Sequence, residues 1–171
     1  MFIARIRFLL VIVFLGLAVW LHVVEGIGAS WYLYVAGVLL LLTHFLTSNV
    51  SAAFMLLRGG DLDKAEQLVD QIKKPEWLLT RHRAYYHFTK GMIAAQRNAV
   101  PQAKQHLAEA LAIGLRTPTD NALAAINLSN FAYQSNDRSE ARKYLDKAKS
   151  YETSDLIIKE HIGRLEGALG V

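Results

Sequence analysis

Histidines are the residues of this sequence whose side chains are best suited to chemistry, and there are six of them. His82 and His87 lie five positions apart on a predicted helix, whereas the helical metal motif uses positions i and i+4. His22 and His44 lie in long apolar segments, where a histidine can hold haem or relay protons. No carboxylate or second ligand is placed beside them to orient the ring. We therefore predict that His22 and His44 lie near helix ends or hydrogen-bond within the helix bundle, and that the chain has no metal site.

Other catalytic patterns are absent from the sequence. It contains no cysteine, which excludes disulfides, thiolate catalysis and cysteine metal sites. It also lacks a P-loop, a dinucleotide-binding glycine pattern and a Gly-x-Ser-x-Gly motif. The formal net charge of +4 is too weak and too dispersed to indicate nucleic-acid binding. We predict a protein that is not an enzyme, has no cofactor, and binds neither nucleic acid nor a small-molecule substrate.

An internal repeat indicates the elements that must position any functional side chain. Residues 57–69, 95–107 and 133–145 align without gaps at a spacing of 38 residues. Gly60, Asn98 and Asn136 align with one another, and these residue types tolerate a left-handed turn. Three more aligned sets are the alanines Ala65, Ala103 and Ala141, the large apolar residues Val69, Leu107 and Leu145, and the small residues Ala53, Gly91 and Ser129. The pattern predicts stacked helix pairs, because one pair cannot bury its apolar stripe alone.

These aligned residues resemble the tetratricopeptide repeat (TPR) family over roughly residues 49–169. The resemblance implies an all-α fold with a TPR-like α-solenoid, made of three repeats and a terminal helix. We expect helix pairs at 47–58 with 61–73, 80–96 with 100–113, and 121–134 with 137–150, and a last helix at about 154–168. Thr80, Asp120 and either Ser154 or Asp155 are suited to begin helices. The sequence departs from the usual period of about 34 residues, with the extra residues near 74–79 and 114–119.

In TPR folds the first helices of the pairs line a groove that binds a protein partner, and the resemblance implies such a groove here. The residues at groove positions are Tyr85, Phe88, Met92, Gln96, Leu123, Asn127, Asn130, Gln134, His161 and Arg164. Aromatic and methionine side chains supply apolar contact, and amides can bond the backbone of an extended peptide. The alternative is that Tyr85, Phe88 and Leu123 pack in the core. Val50 and Phe54 stand where chaperone-binding relatives carry a basic clamp, so we expect no binding of a C-terminal carboxylate.

The N-terminal part of the chain has the composition of a membrane hairpin. Residues 8–24 carry no charge, and a second apolar run begins at Trp31 after a short loop. We predict a two-helix transmembrane hairpin over residues 1–46, with spans at about 6–24 and 31–46, and a TPR-like domain over 47–171. A cleaved signal peptide and a buried helical hairpin of a soluble protein are the alternatives. From Trp31 to Arg58 the chain predicts one continuous helix, because it contains neither proline nor internal charge.

The distribution of charge predicts the orientation of this hairpin. Arg5 and Arg7 precede the first span, the loop carries only Glu25, and basic residues return at Arg58. The positive-inside rule then places both termini in the cytoplasm of an integral membrane protein, which we assign to the bacterial inner membrane. The leading prediction is a membrane-anchored adaptor or scaffold that binds a protein partner near the lipid bilayer. The alternative is a structural subunit or assembly factor of a larger membrane protein complex, recognised mainly through the hairpin.

Overall fold

The computed structural model describes the backbone of residues 2–170 and the side chains of residues 9–41 and 49–170. These residues form eight α-helices and one short 3₁₀ helix, Pro75–Trp77. In chain order the α-helices are α1 (Phe2–Glu25), α2 (Ile27–Arg58), α3 (Leu62–Asp70), α4 (Thr80–Gln96), α5 (Val100–Ile113), α6 (Pro118–Gln134), α7 (Arg138–Ser150) and α8 (Leu156–Leu169). The all-α prediction is therefore confirmed.

Helices α1 and α2 pack against each other as a hairpin with a turn of one residue. Gly26 forms this turn at φ 83°, a conformation that favours glycine. The hydroxyl of Ser30 donates to the Gly26 carbonyl at 3.2 Å. Ala18 is fully buried between the helices, and a Cβ on Gly37 would lie 2.7 Å from Leu15 Cδ2. Small residues thus allow the close approach of α1 and α2.

The predicted transmembrane hairpin is wrong. Over the residues that the structure describes, no helix has both the length and the apolar character needed to cross a membrane. The predicted spans at about 6–24 and 31–46, and the inner-membrane location that depended on them, are contradicted. The side chains of Arg5, Arg7 and His44, on which the orientation and haem arguments drew, lie outside the described residues.

Helix α2 is continuous from Ile27 to Arg58, as the unbroken run after Trp31 predicts. Its first part packs against α1, and its last part packs against α3 and α4. Val50 and Ala53 are buried in this second contact. One helix therefore belongs both to the N-terminal hairpin and to the repeat region that follows it.

The remaining helices form the antiparallel pairs that the aligned residues predict. Helix α2 pairs with α3, α4 with α5, and α6 with α7, while α8 packs against α6 and α7. The turn residues Gly60, Asn98 and Asn136 all have positive φ, at 85°, 60° and 61°. The aligned alanines Ala65, Ala103 and Ala141 and the aligned residues Val69, Leu107 and Leu145 are at most 1 % exposed. The repeat period was therefore sufficient to predict the helix pairing and the buried register.

Small residues mark the points where the two helices of a pair come closest. A Cβ on Gly91 would lie 2.7 Å from Leu107 Cγ and 3.0 Å from Leu107 N, which leaves no room for a larger side chain. Ser129 is also fully buried, and its hydroxyl donates to the Ala141 carbonyl at 2.8 Å. Ala53 occupies the corresponding position on α2. These contacts fix how deeply each second helix sits against the first.

The connection between α5 and α6 is held by an amide that the sequence did not single out. Asn121 accepts from Leu115 N at 3.0 Å and donates to the carbonyls of Leu115 and Thr117 at 2.9 and 2.8 Å. Thr117, and not Asp120, caps α6, because its hydroxyl accepts from the Asp120 amide at 3.0 Å. Helix α6 consequently begins at Pro118, three residues before the predicted start. The carboxylate of Asp120 is therefore not needed for capping and instead accepts a hydrogen bond from Tyr85.

Candidate partner-binding surface

The first helices of the pairs lie side by side, and we call the surface that α2, α4, α6 and α8 share the first-helix face. Contacts between α2 and α4 and between α6 and α8 build this order. Two side-chain contacts, Tyr85 with Asp120 and Met92 with Asn127, join α4 to α6. The predicted groove residues all lie on these helices: four on α4, four on α6 and two on α8. The order of the helices is the one that the groove prediction required.

An aromatic cluster joins α2 to α4 at one end of the face. The ring centroids of Phe54 and Tyr85 lie 4.9 Å apart, and Phe88 lies 6.0 Å from Phe54 and 6.4 Å from Tyr85. All three contacts are edge-to-face, the geometry that aromatic quadrupoles favour. The guanidinium of Arg58 lies 5.7 Å from the Phe54 centroid, within cation–π range. This cluster presents an apolar patch with a positive charge at its edge.

Tyr85 connects the aromatic cluster to α6. Its hydroxyl donates to Asp120 Oδ2 at 2.7 Å. Burial, and then the hydrogen bond to this carboxylate, raise the pKa of Tyr85 to about 12. The phenol therefore remains a neutral hydrogen-bond donor at every physiological pH, and it holds the Asp120 carboxylate at the face.

We expect the stability of the chain to fall between pH 10 and about 12 in part through Tyr85. Its pKa in the folded chain lies above the ordinary value of 10.0, so ionisation favours the unfolded chain. The stabilisation is complete below pH 10 and is lost as the pH rises towards 12. Urea unfolding at pH 9 and pH 11 should show a smaller loss for Tyr85→Phe than for the wild type. Equal losses in the wild type and in Tyr85→Phe would refute the assignment.

Amide and thioether side chains continue the face between α4 and α6. Asn127 Nδ2 lies 3.7 Å from Met92 Sδ, and it donates to the Leu123 carbonyl at 2.8 Å. Met92 and Leu123 are partly buried and pack against the core. The Asn127 amide is thus already engaged with its own helix, which limits its part in bonding a peptide backbone.

The structure divides the predicted groove residues by exposure. Phe88 is only 2 % exposed and belongs to the core, which is the alternative that the sequence left open. The half-buried residues are Tyr85, Met92, Leu123, Asn127, Asn130 and His161, and the exposed residues are Gln96, Gln134 and Arg164. Arg164 forms an ion pair with Glu160 at 3.2 Å on the outside of α8. Contacts join Tyr85 to Phe88 and Met92 to Asn127, so the middle of the predicted set is brought together.

The family profile described as the SusR N-terminal TPR domain matches residues 39–153. The chain belongs to this TPR family. The matched residues begin within α2 and end just before α8, so they include the helix pairs and their turns. No curated protein and no solved structure matches the chain. The match confirms the TPR resemblance and supports a helical repeat that takes part in protein interactions.

Sequence reasoning missed two parts of the TPR surface. Phe54 was considered only as a departure from a basic clamp, although it anchors the aromatic cluster. His87 meets His106 and Glu109 of α5 on the side of α4 that faces away from α6. The pairing of α4 with α5 was predictable, and it places the 106–109 turn opposite His87. The residue types at those positions were the signal that was overlooked.

Proposed function

We propose that this TPR protein is a non-enzymatic adaptor that binds a protein partner on its first-helix face. Three repeats, α2 with α3, α4 with α5 and α6 with α7, are capped by α8 in this proposal. The supporting observation is the continuity of the face, from the aromatic cluster at Phe54 and Tyr85 to the amide and thioether pair of Met92 and Asn127. Methionine and aromatic side chains adapt to the apolar residues of a bound segment.

The residues available to a partner differ from those that hold the face together. Tyr85 donates its hydrogen bond to Asp120, and Asn127 donates one to the backbone of α6. Gln96 and Gln134 end α4 and α6, and both side chains are exposed. We propose that these glutamines contact the partner's polar groups while the half-buried apolar residues receive its apolar side chains.

A matched pair of double variants tests this proposal. Gln96→Arg with Gln134→Arg places two long charged side chains on the first-helix face. Gln67→Arg with Gln102→Arg makes the same chemical change at exposed positions of α3 and α5, the second helices. We expect a partner recovered by affinity capture with the full chain to bind the first variant at least ~10-fold more weakly, because a desolvated unpaired charge opposes docking. The α3 and α5 variant should bind as the wild type.

Equal capture by both double variants would contradict a role for the first-helix face. The second candidate function then follows, in which the chain is a subunit or assembly factor held in a complex through α1 and α2. The observation that favours it is the set of large apolar side chains that this hairpin exposes, including Trp20 at 61 % and Trp31 at 58 %. Trp20→Ser with Trp31→Ser should abolish capture if that reading is correct, and leave capture unchanged if the first-helix face binds the partner.

A further inference from the structure

Two histidines and one glutamate converge between α4 and α5. His87 Nδ1 lies 3.1 Å from His106 Nδ1 and 2.7 Å from Glu109 Oε2. The three donor atoms lie within 4.8 Å of one another. His106 and Glu109 stand at positions i and i+3 of α5, so they share one helix face. The pairing of α4 with α5 brings His87 to that face.

Neutral imidazoles in this cluster offer lone pairs that a metal ion can bind. Both His87 and His106 are half-buried, and burial favours neutral imidazoles. A neutral imidazole carries one N–H, so His87 Nδ1 either donates to Glu109 Oε2 or presents its lone pair to that carboxylate. Where one of the two Nδ1 atoms carries no proton, its lone pair and those of Glu109 Oε2 point into the same small space. A cation placed there would accept electron density from all three atoms.

The distances are close to those that a tetrahedral zinc site requires. Zinc binds imidazole nitrogen at about 2.0–2.1 Å and carboxylate oxygen at similar distances, which places ligand atoms about 3.3 Å apart around a tetrahedron. The separation of 3.1 Å between the two Nδ1 atoms is within a few tenths of an ångström of this value. Glu109 must withdraw slightly from His87, and its side chain, 41 % exposed, is free to rotate.

Neighbouring groups support the ligand geometry. Gln105 Nε2 donates to Glu109 Oε1 at 3.2 Å, which leaves Oε2 directed at His87. Such outer hydrogen bonds orient ligating carboxylates in known metal sites. Gly91, one turn after His87, closely contacts Leu107, the residue next to His106, and this contact fixes the spacing of the two helices. The two helices therefore hold both imidazoles at this spacing, and the Glu109 side chain is the group that must move for a metal ion to bind.

The cluster is also reachable from solvent. His106 forms part of the wall of an open cleft of about 460 Å³ between α3, α4 and α5, together with Gln102 and Gln105. Lys90 lines the same cleft, but its ammonium group is paired with Asp70 at 2.7 Å. Arg83 is the cation that acts on His87, whereas Lys90 acts on His106. His106 borders this cleft and the Glu109 side chain is 41 % exposed, so solvent reaches two of the three ligands.

We propose that His87, His106 and Glu109 form a binding site for a divalent transition-metal ion of the zinc type. The protein supplies three ligands, two imidazole Nδ1 atoms and one carboxylate oxygen, and water supplies the fourth. Bound metal links α4 to α5 and stabilises that helix pair. The site revises the expectation from the sequence that the chain binds no metal, and it does not depend on the proposed function of the first-helix face.

Metal titrations of the full chain, carrying no polyhistidine tag, test the site. Isothermal titration with Zn²⁺ should show one ion per chain, and Co²⁺ should give the visible absorption of a tetrahedral complex. Saturating Zn²⁺ should raise the melting temperature by about 5 °C. His106→Gln and Glu109→Gln should each weaken binding by about 100-fold or more and remove the temperature shift.

His161→Gln is the matched control, because His161 is a half-buried histidine on α8, remote from α4 and α5. This variant should bind Zn²⁺ as the wild type does. Glu109→Gln preserves the shape of a partly exposed side chain, so it tests the site even if His106→Gln fails to fold. The proposal is wrong if the wild type binds no Zn²⁺, or if Glu109→Gln binds it as tightly as the wild type.

Discussion

Phe88→Ala should lower the free energy of unfolding by about 3–5 kcal/mol, the usual cost of removing a fully buried phenylalanine. Phe88 is 2 % exposed, and its ring contacts Phe54 and Tyr85 edge-on. The substitution removes the packing between α2 and α4 and leaves a cavity beneath the aromatic cluster. Urea denaturation gives the free energy directly, provided that the slope of the unfolding curve does not change.

Gln96→Ala is the control for this experiment, because Gln96 lies on the same helix and in the same predicted groove but is exposed. Its effect on the free energy of unfolding should stay within about 0.5 kcal/mol. A loss below 1 kcal/mol for Phe88→Ala would show that the ring is not a core residue. The expected difference also means that weaker partner binding by a Phe88 variant would report unfolding as well as any lost contact.

Gly91→Leu should destabilise the α4–α5 pair by about 3 kcal/mol or more, at the upper end of the cost of overpacking. The Cβ alone would lie 2.7 Å from Leu107 Cγ and 3.0 Å from Leu107 N, so both a side chain and a helix backbone are in the way. The better helix propensity of leucine offsets only about 0.8 kcal/mol of this cost. For a chain of this length we expect a fall in melting temperature of about 6–12 °C.

Gly163→Leu makes the same change in α8, where nothing lies within 4 Å of the added Cβ. Gly163 is exposed and has an ordinary helical conformation, so leucine should raise the free energy of unfolding by about 0.5–1 kcal/mol. If leucine lowers the free energy of unfolding at Gly91 and raises it at Gly163, the close approach of α4 and α5 is the cause of the difference. Equal melting temperatures for the two variants would contradict the packing described for Gly91.

The repeat region was predictable because its packing constraints recur at a fixed spacing. Ala65, Ala103 and Ala141 each meet the preceding helix at the same depth, so a small residue is required three times. Exposure across the first-helix face was less predictable. Whether Phe88 or Tyr85 faces solvent depends on how neighbouring pairs tilt against each other, and residue type does not determine that tilt.

Two errors have different physical origins. The transmembrane prediction took two uncharged apolar runs as spans, but no helix over the described residues has both the length and the apolar character to cross a membrane. The last turns of α2 pack instead in the repeat core, around Val50 and Ala53. The histidine cluster was missed because His87 and His106 are 19 residues apart. The two histidines come into contact because of the register between the antiparallel helices α4 and α5. The spacing of residues along a single helix does not reveal that register.

The continuity of α2 has a mechanical consequence. Its 32 residues form a rod about 48 Å long, and a hydrogen-bonded helix without proline resists bending. A tilt of about 5° around its C-terminal end would displace the other end by about 4 Å, as the leverage of a rod of this length requires. The same tilt would shift Phe54 against Tyr85 by less than an ångström, because Phe54 lies close to the pivot. A force on the N-terminal hairpin would thus be transmitted through α2, and a large displacement of the hairpin would become a much smaller displacement at the aromatic cluster.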